Sequence, residues 1–240
     1  MLPFKDMNPT RRTPIATYTL LLINIAIYFW TGSLSPEEVN HLFQVYSVVP
    51  ANISAAPLSM ETFLDIVRSM FFHGGLMHLG GNMLYLWIFG DNVEDRFGVI
   101  GYLVLYFACG IAAVYAQVII DPTSTIPMVG ASGAIAGILG SYLVLFPGVR
   151  VKGIIVLVVI PLWGEWPAWV MLALWFGIQI FSGFSSLGVA GSGGVAFFAH
   201  IGGFAAGLLI TLLFKMIYTQ PSPDVRREIL YKRAREHPFS

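Results

Sequence analysis

The run VAFFAHIGGFAAGLLITLLFKMIY, residues 195–218, is apolar apart from His200, Thr211 and Lys215 and carries glycines at 202, 203 and 207. As a helix it is long enough to cross roughly 30 Å of hydrocarbon. Gly203 and Gly207 lie three and seven residues after His200 and so share roughly its face. A histidine set into such a helix is costly to bury without a function or a partner. The segment therefore reads as a membrane span whose one buried basic side chain sits on a face shaped for close helix packing.

Five more apolar runs extend this reading along the chain, at Pro14 to Gly32, Leu76 to Gly90, Gly98 to Ile120, Ser132 to Phe146 and Pro167 to Phe181. The second and fourth of the six are short for a crossing, which predicts that they begin or end below the membrane surface, packed on protein. The whole chain of 240 residues is 56% hydrophobic and 11% charged, with mean hydropathy +0.74, where a soluble domain is about 25% charged. The expected fold is an all-α membrane protein, a bundle of six transmembrane helices. Lys and Arg flanking spans are retained on the cytoplasmic side. With both termini inside, all of the 13 basic residues except Arg68 fall on that side.

The organisation expected is a cytoplasmic segment at 1–13, a membrane domain at 14–218 and a basic cytoplasmic tail at 219–240. The first thirteen residues are polar, with two prolines, so no removable signal is expected. Zero net charge argues against nucleic-acid partners, and the tail suits anionic lipid headgroups. The connection Ser33 to Phe72 is long enough to hold structure of its own, read as a short amphipathic helix in the outer interface. Val151 to Trp163, rich in β-branched residues, reads as a connector near the inner interface or as a helical hairpin arm. Cys109, alone in an apolar span, reads as inert packing.

The polar residues of the spans gather at one level. If the second, fourth and sixth spans run from outside to inside, His78 and Asn82 open one, Ser132 opens another, and His200 lies about a turn and a half into the last. That depth corresponds to roughly 8 to 10 Å. Ser132 stands in Gly130-Ala131-Ser132-Gly133-Ala134-Ile135-Ala136-Gly137, where Gly133 and Gly137 form a small-residue packing stripe. Taken alone it is an N-cap serine, and His200 alone is a histidine hydrogen-bonding across helices. Together, on compatible faces and depths, they form a nucleophile and its base. Free N–H groups at a helix start suit a developing oxyanion.

His78 and Asn82 are four apart and share a face, which suits oxyanion donors, although they and His73 can also tie loop to helix. His73, five before His78, points away from it if helical. The spacing fits no zinc motif, so neither metal nor cofactor is expected. Lys5, Lys152 and Lys215 fall on the inner side and no acid lies in the outer half of a span. A Ser–His dyad without a buried carboxylate remains.

These three motifs, His73-Gly74-Gly75-Leu76-Met77-His78-Leu79-Gly80-Gly81-Asn82, Gly130-Ala131-Ser132-Gly133 and Ala199-His200-Ile201-Gly202-Gly203 with Gly207, resemble those of the rhomboid family of intramembrane serine proteases. The resemblance covers about Pro14 to Tyr218. It implies a rhomboid-type bundle in which Ser132 is the nucleophile and His200 the general base. His78 and Asn82, with the Ser132 backbone N–H, would hold the oxyanion, and His73 would lie at the mouth of the site. The segment Gly90 to Asp95 resembles prokaryotic members. Two features depart from the pattern: Ala136 replaces a tyrosine that commonly stacks under the histidine, and the usual Trp-Arg pair of the first outer loop is not recognisable.

The expected function is an intramembrane serine endopeptidase of a prokaryotic plasma membrane, opening to the outer side and cutting transmembrane segments of other membrane proteins. The alternatives are a non-catalytic rhomboid-like protein that binds membrane clients, or a small transporter. The stretch Ser182 to Gly194, with five glycines and no charge, is expected to be a lid over the dyad.

Overall fold

The computed structural model describes residues 1–157, 160–187 and 195–218. Its elements in chain order are β1 (Leu2–Asp6), α1 (Ile15–Thr31), α2 (Pro36–Tyr46), α3 (Pro50–Ala55), α4 (Met60–Ser69), α5 (Leu76–Ile120), α6 (Ser132–Leu145), β2 (Arg150–Leu157), β3 (Ile160–Pro167), α7 (Ala168–Ser186) and α8 (Phe197–Ile217). Among the described residues three helices, α5, α7 and α8, are long and apolar enough to cross a membrane, while α1 and α6 are apolar but shorter. The expected tail at 219–240, and the glycines from Gly188 to Gly194 in the expected lid, lie outside the described residues. Helix α7 itself runs on to Ser186, beyond the expected end at Phe181.

Helix α6 is the centre of the bundle. Every residue from Ala134 to Tyr142 is buried, so it has no polar face and is enclosed all round, as a uniformly apolar helix requires. One continuous core joins it to α1, α5, α7 and α8. The approach of α8 is set by small residues: a Cβ on Gly207 would lie 1.9 Å from the Gly137 carbonyl oxygen, and one on Gly203 2.0 Å from that of Gly133. Backbone therefore touches backbone along this seam.

Residues Asp91 to Phe97, expected as a loop between two spans, are helical, and α5 runs through them to a kink at Gly98 (φ 72°, ψ 166°), a backbone region open mainly to glycine. The charges that resemble a loop in sequence are satisfied within the fold. Buried Glu94 accepts from the Ala16 and Thr17 N–H groups at 2.9 and 2.8 Å and from the Thr17 hydroxyl at 2.8 Å. It thus caps the start of α1, where helical N–H groups have no intrahelical partner. Asp95 pairs with Arg11 at 2.7 Å.

The expectation of an all-α chain fails at one end of the bundle, where a three-stranded antiparallel sheet forms in the order β1-β2-β3. The connector Val151 to Trp163 is a β-hairpin, neither a loose connector nor a helical arm, and pairs Arg150 with Pro167 through to Leu157 with Ile160. Its β-branched residues favour strand. The N-terminal segment pairs Leu2 with Ile154 and Asp6 with Val151, with a bulge between Pro3 and Lys5. Asp6 then accepts hydrogen bonds from Tyr142 on α6 and Asn92 on α5, both at 2.8 Å.

The connection expected to hold one amphipathic helix holds three short ones, α2, α3 and α4. Ser35 and Glu38 form a reciprocal capping box with Pro36 in the first turn of α2. Ser59 caps α4. Arg68 bonds Glu61 at 2.9 Å and Asp65 at 3.1 Å, so the basic residue that stood apart from the others in sequence is paired locally.

Candidate active site

Three elements converge at the end of the bundle opposite the sheet. Ser132 is the first residue of α6. The first intrahelical bond of this helix is Ile135 N–H to the Ala131 carbonyl at 3.0 Å, so the N–H groups of Ser132, Gly133 and Ala134 have no intrahelical acceptor. His200 lies three residues after Phe197, where α8 begins. Its depth is therefore about 4.5 Å below the helix start, shallower than the 8 to 10 Å expected, because Val195 and Ala196 are not helical. Gly203, one turn on, brings α8 against the backbone beside Ser132, and the Ser132 hydroxyl stands 2.8 Å from His200 Nε2.

The loop before α6 shapes the other wall. Gly130 has φ 125°, and its N–H is held by the Ser69 carbonyl at 2.8 Å. A Cβ there would meet the His78 ring at 2.7 Å and Asn82 Nδ2 at 3.6 Å. Glycine is thus required twice, for its backbone angle and for space. His78 and Asn82 flank the Gly130 backbone, two residues from the serine.

His73 departs from its expected direction. It precedes α5 and is not helical, so the turn at Gly74-Gly75 folds it back and sets its ring 5.1 Å from that of His78. Asn82 Nδ2 lies 2.9 Å from His73 Nε2. Burial, with the neighbouring His78 adding to it, lowers His73 to about 4. A neutral His73 can therefore accept from the Asn82 amide, which keeps a second N–H free.

Two residues that sequence reasoning did not single out complete the site, both on α7. Gln179 Oε1 lies 2.8 Å from His200 Nδ1, in the buried interior. The Trp175 ring lies 5.9 Å from the histidine ring at 37°, so an aromatic does flank His200 where Ala136 offers none. The signal was present: Gln179 is an amide in the apolar run of α7, one turn after Trp175 on the same face. Unlike a lysine or a carboxylate, a neutral amide carries no charge to set it apart from the apolar residues around it.

Ser132, His200, His78, Asn82, Trp175 and Gln179 all line one cavity of about 1570 Å³. No group of three His, Cys, Asp or Glu among the described residues is placed to hold a metal ion. Chemically, the arrangement offers a hydroxyl bonded to an imidazole, free N–H groups at a helix start, and two side chains able to donate toward the same space.

Fold and site together define a polytopic helical membrane protein with a serine and a histidine joined across two packed helices. The Rhomboid domain profile matches residues 61–217, and the chain belongs to the rhomboid family. It is 29% identical over 197 residues to rhomboid protein 1, mitochondrial, of Saccharomyces cerevisiae, covering 80% of this chain and 51% of that protein. Against the rhomboid protease AarA of Providencia stuartii identity is 28% over 218 residues, 84% of this chain and 73% of that one. Against the rhomboid protease GluP of Bacillus subtilis it is 35% over 134 residues, 54% and 24%. The chain thus spans about half the length of the yeast relative, and its relatives include mitochondrial and chloroplastic proteins.

Proposed function

We propose that this protein is an intramembrane serine endopeptidase that cleaves transmembrane segments of other membrane proteins. The observation that carries this reading is the 2.8 Å hydrogen bond between Ser132 Oγ and His200 Nε2 at the wall of the cavity. His200 takes the hydroxyl proton as Oγ attacks the peptide carbonyl, then gives it to the leaving amine. Water subsequently hydrolyses the acyl-enzyme by the reverse use of the same base. The Ser132 N–H, Asn82 and His78 stabilise the oxyanion. Gly130 leaves room for the His78 ring and Gly133 for Ala113 of α5, His73 orients Asn82, and Gly137, Gly203 and Gly207 hold α6 and α8 together.

In this reading the two arms of α5 are separate spans, giving six with α1, α6, α7 and α8. Residues 14–218 form the membrane domain. The retention of Lys and Arg on the cytoplasmic side supports a cytoplasmic sheet end, and in this reading the membrane is a prokaryotic plasma membrane with the dyad opening to its outer side. A client-binding relative without activity needs no competent nucleophile. Treatment with a fluorophosphonate probe separates the two: the enzyme is modified at Ser132, and Ser132→Ala and His200→Ala lose the modification. Folded wild-type protein that resists the probe would overturn the proposal.

A further inference from the structure

We propose that Gln179 is a positioning residue that selects the reactive tautomer of His200, an inference that rests on the dyad reading above. A neutral imidazole carries one N–H and one lone pair. To accept the Ser132 proton, the lone pair must be on Nε2, so the N–H must be on Nδ1. In the other tautomer Nε2–H donates to Ser132 Oγ and cannot take its proton. Both have the same heavy-atom geometry at 2.8 Å, so proximity of serine and histidine does not itself choose between them.

Gln179 does choose. Its carbonyl oxygen lies 2.8 Å from Nδ1, where it accepts Nδ1–H and opposes a lone pair. Gln179 and His200 are each 8% exposed, so water competes little and an unmade bond there is costly. Trp175 flanks the ring, tilted by 37° at 5.9 Å, yet an aromatic neighbour does not distinguish two ring nitrogens. An amide oxygen therefore occupies the place that a carboxylate fills in a three-residue hydrolase site, and it does so without burying a charge.

The acceptor also comes from a third helix. Ser132 is on α6 and His200 on α8, while Gln179 is on α7. The base is thus correctly protonated only while α7 stays docked, and displacement of α7 by a residue's length breaks the Nδ1 bond while leaving the serine and histidine on their own helices.

The test uses full-length protein in nanodiscs with ¹⁵N-labelled histidine, comparing wild type, Gln179→Met and Gln179→Glu. Wild-type His200 should show Nδ1 protonated and Nε2 unprotonated. Gln179→Met, close in shape but without an acceptor, should populate the Nε2–H form. Its maximal rate of modification by a fluorophosphonate should fall about two- to ten-fold, the range of one net hydrogen bond, with probe affinity unchanged. Gln179→Glu restores an acceptor when its carboxyl is ionised, so at a pH where it is ionised it should recover the Nδ1-protonated form that Gln179→Met loses. A wild-type His200 protonated on Nε2, or a folded Gln179→Met with wild-type tautomer and rate, overturns the role of Gln179. The tautomer is read without turnover, so a wild-type protein inert to the probe yet Nδ1-protonated would instead count against the protease reading.

Discussion

A single methyl group at Gly203 should uncouple the dyad without touching either reacting side chain. A Cβ at this position would lie 2.0 Å from the Gly133 carbonyl oxygen, whereas ordinary contact begins near 3.5 Å. Relief needs roughly 1.5 Å of movement between α6 and α8, and Gly203 is one turn below His200 while Gly133 adjoins Ser132. Even part of that movement adds directly to the 2.8 Å Ser132–His200 separation, and about 1 Å of misplacement can cost on the order of a hundred-fold in rate. Overpacking of this kind also destabilises by about 1 to 3 kcal/mol. Gly203→Ala should therefore remain folded while its Ser132 modification slows by one to two orders of magnitude (~10- to 100-fold). Gly177→Ala, where a Cβ meets nothing within 4 Å, is the control and should react at the wild-type rate. A Gly203→Ala protein of wild-type rate and stability would refute the claim that this backbone contact sets the catalytic distance.

Asn82→Ala should lower the cleavage rate by about a hundred- to a thousand-fold with the fold intact, the effect of one lost oxyanion donor, and single-turnover kinetics reporting an unchanged rate would remove Asn82 from the oxyanion site. A second expectation concerns the sheet end, where burial, aided by the nearby Asp91 and opposed by the Tyr142 hydrogen bond, raises Asp6 to about 7. The folded chain then binds this proton more tightly than the unfolded chain between pH 3.8 and about 7, so the stability from protonation is full at the acid end and is lost as pH rises toward 7. Thermal unfolding in detergent should show wild type losing more stability than Asp6→Asn between pH 5 and 8, and identical pH slopes would contradict the burial of Asp6 as its cause.

Much of the helical arrangement was legible because membrane helices announce themselves by length and polarity, and because polar groups in them stand out. That Ser132 and His200 meet could be read from glycines repeating on their faces, which fix how closely α6 and α8 approach. The β2–β3 hairpin has β-branched residues and a partner close in sequence, but the third strand, β1, arrives from about 150 residues away, and no local rule encodes that pairing. Asp91 to Phe97 looked like a loop because its acids had no visible use in sequence, whereas Glu94 and Asp95 spend them on the start of α1 and on Arg11. The direction of His73 depended on a turn at Gly74-Gly75 that spacing alone leaves open. Gln179 was legible in principle as an amide among apolar residues, but its partner became evident only once α7 was placed beside His200.

The central claim is that Ser132, activated by His200, cleaves a peptide bond within a membrane-embedded segment. It is tested most directly by reconstituting the purified protein with a single-span membrane protein in liposomes, mapping fragments by mass spectrometry, and repeating with Ser132→Ala and His200→Ala. The account predicts a defined cut in or beside the transmembrane segment with wild type and none with either folded variant. Cleavage that persists with purified Ser132→Ala would contradict it.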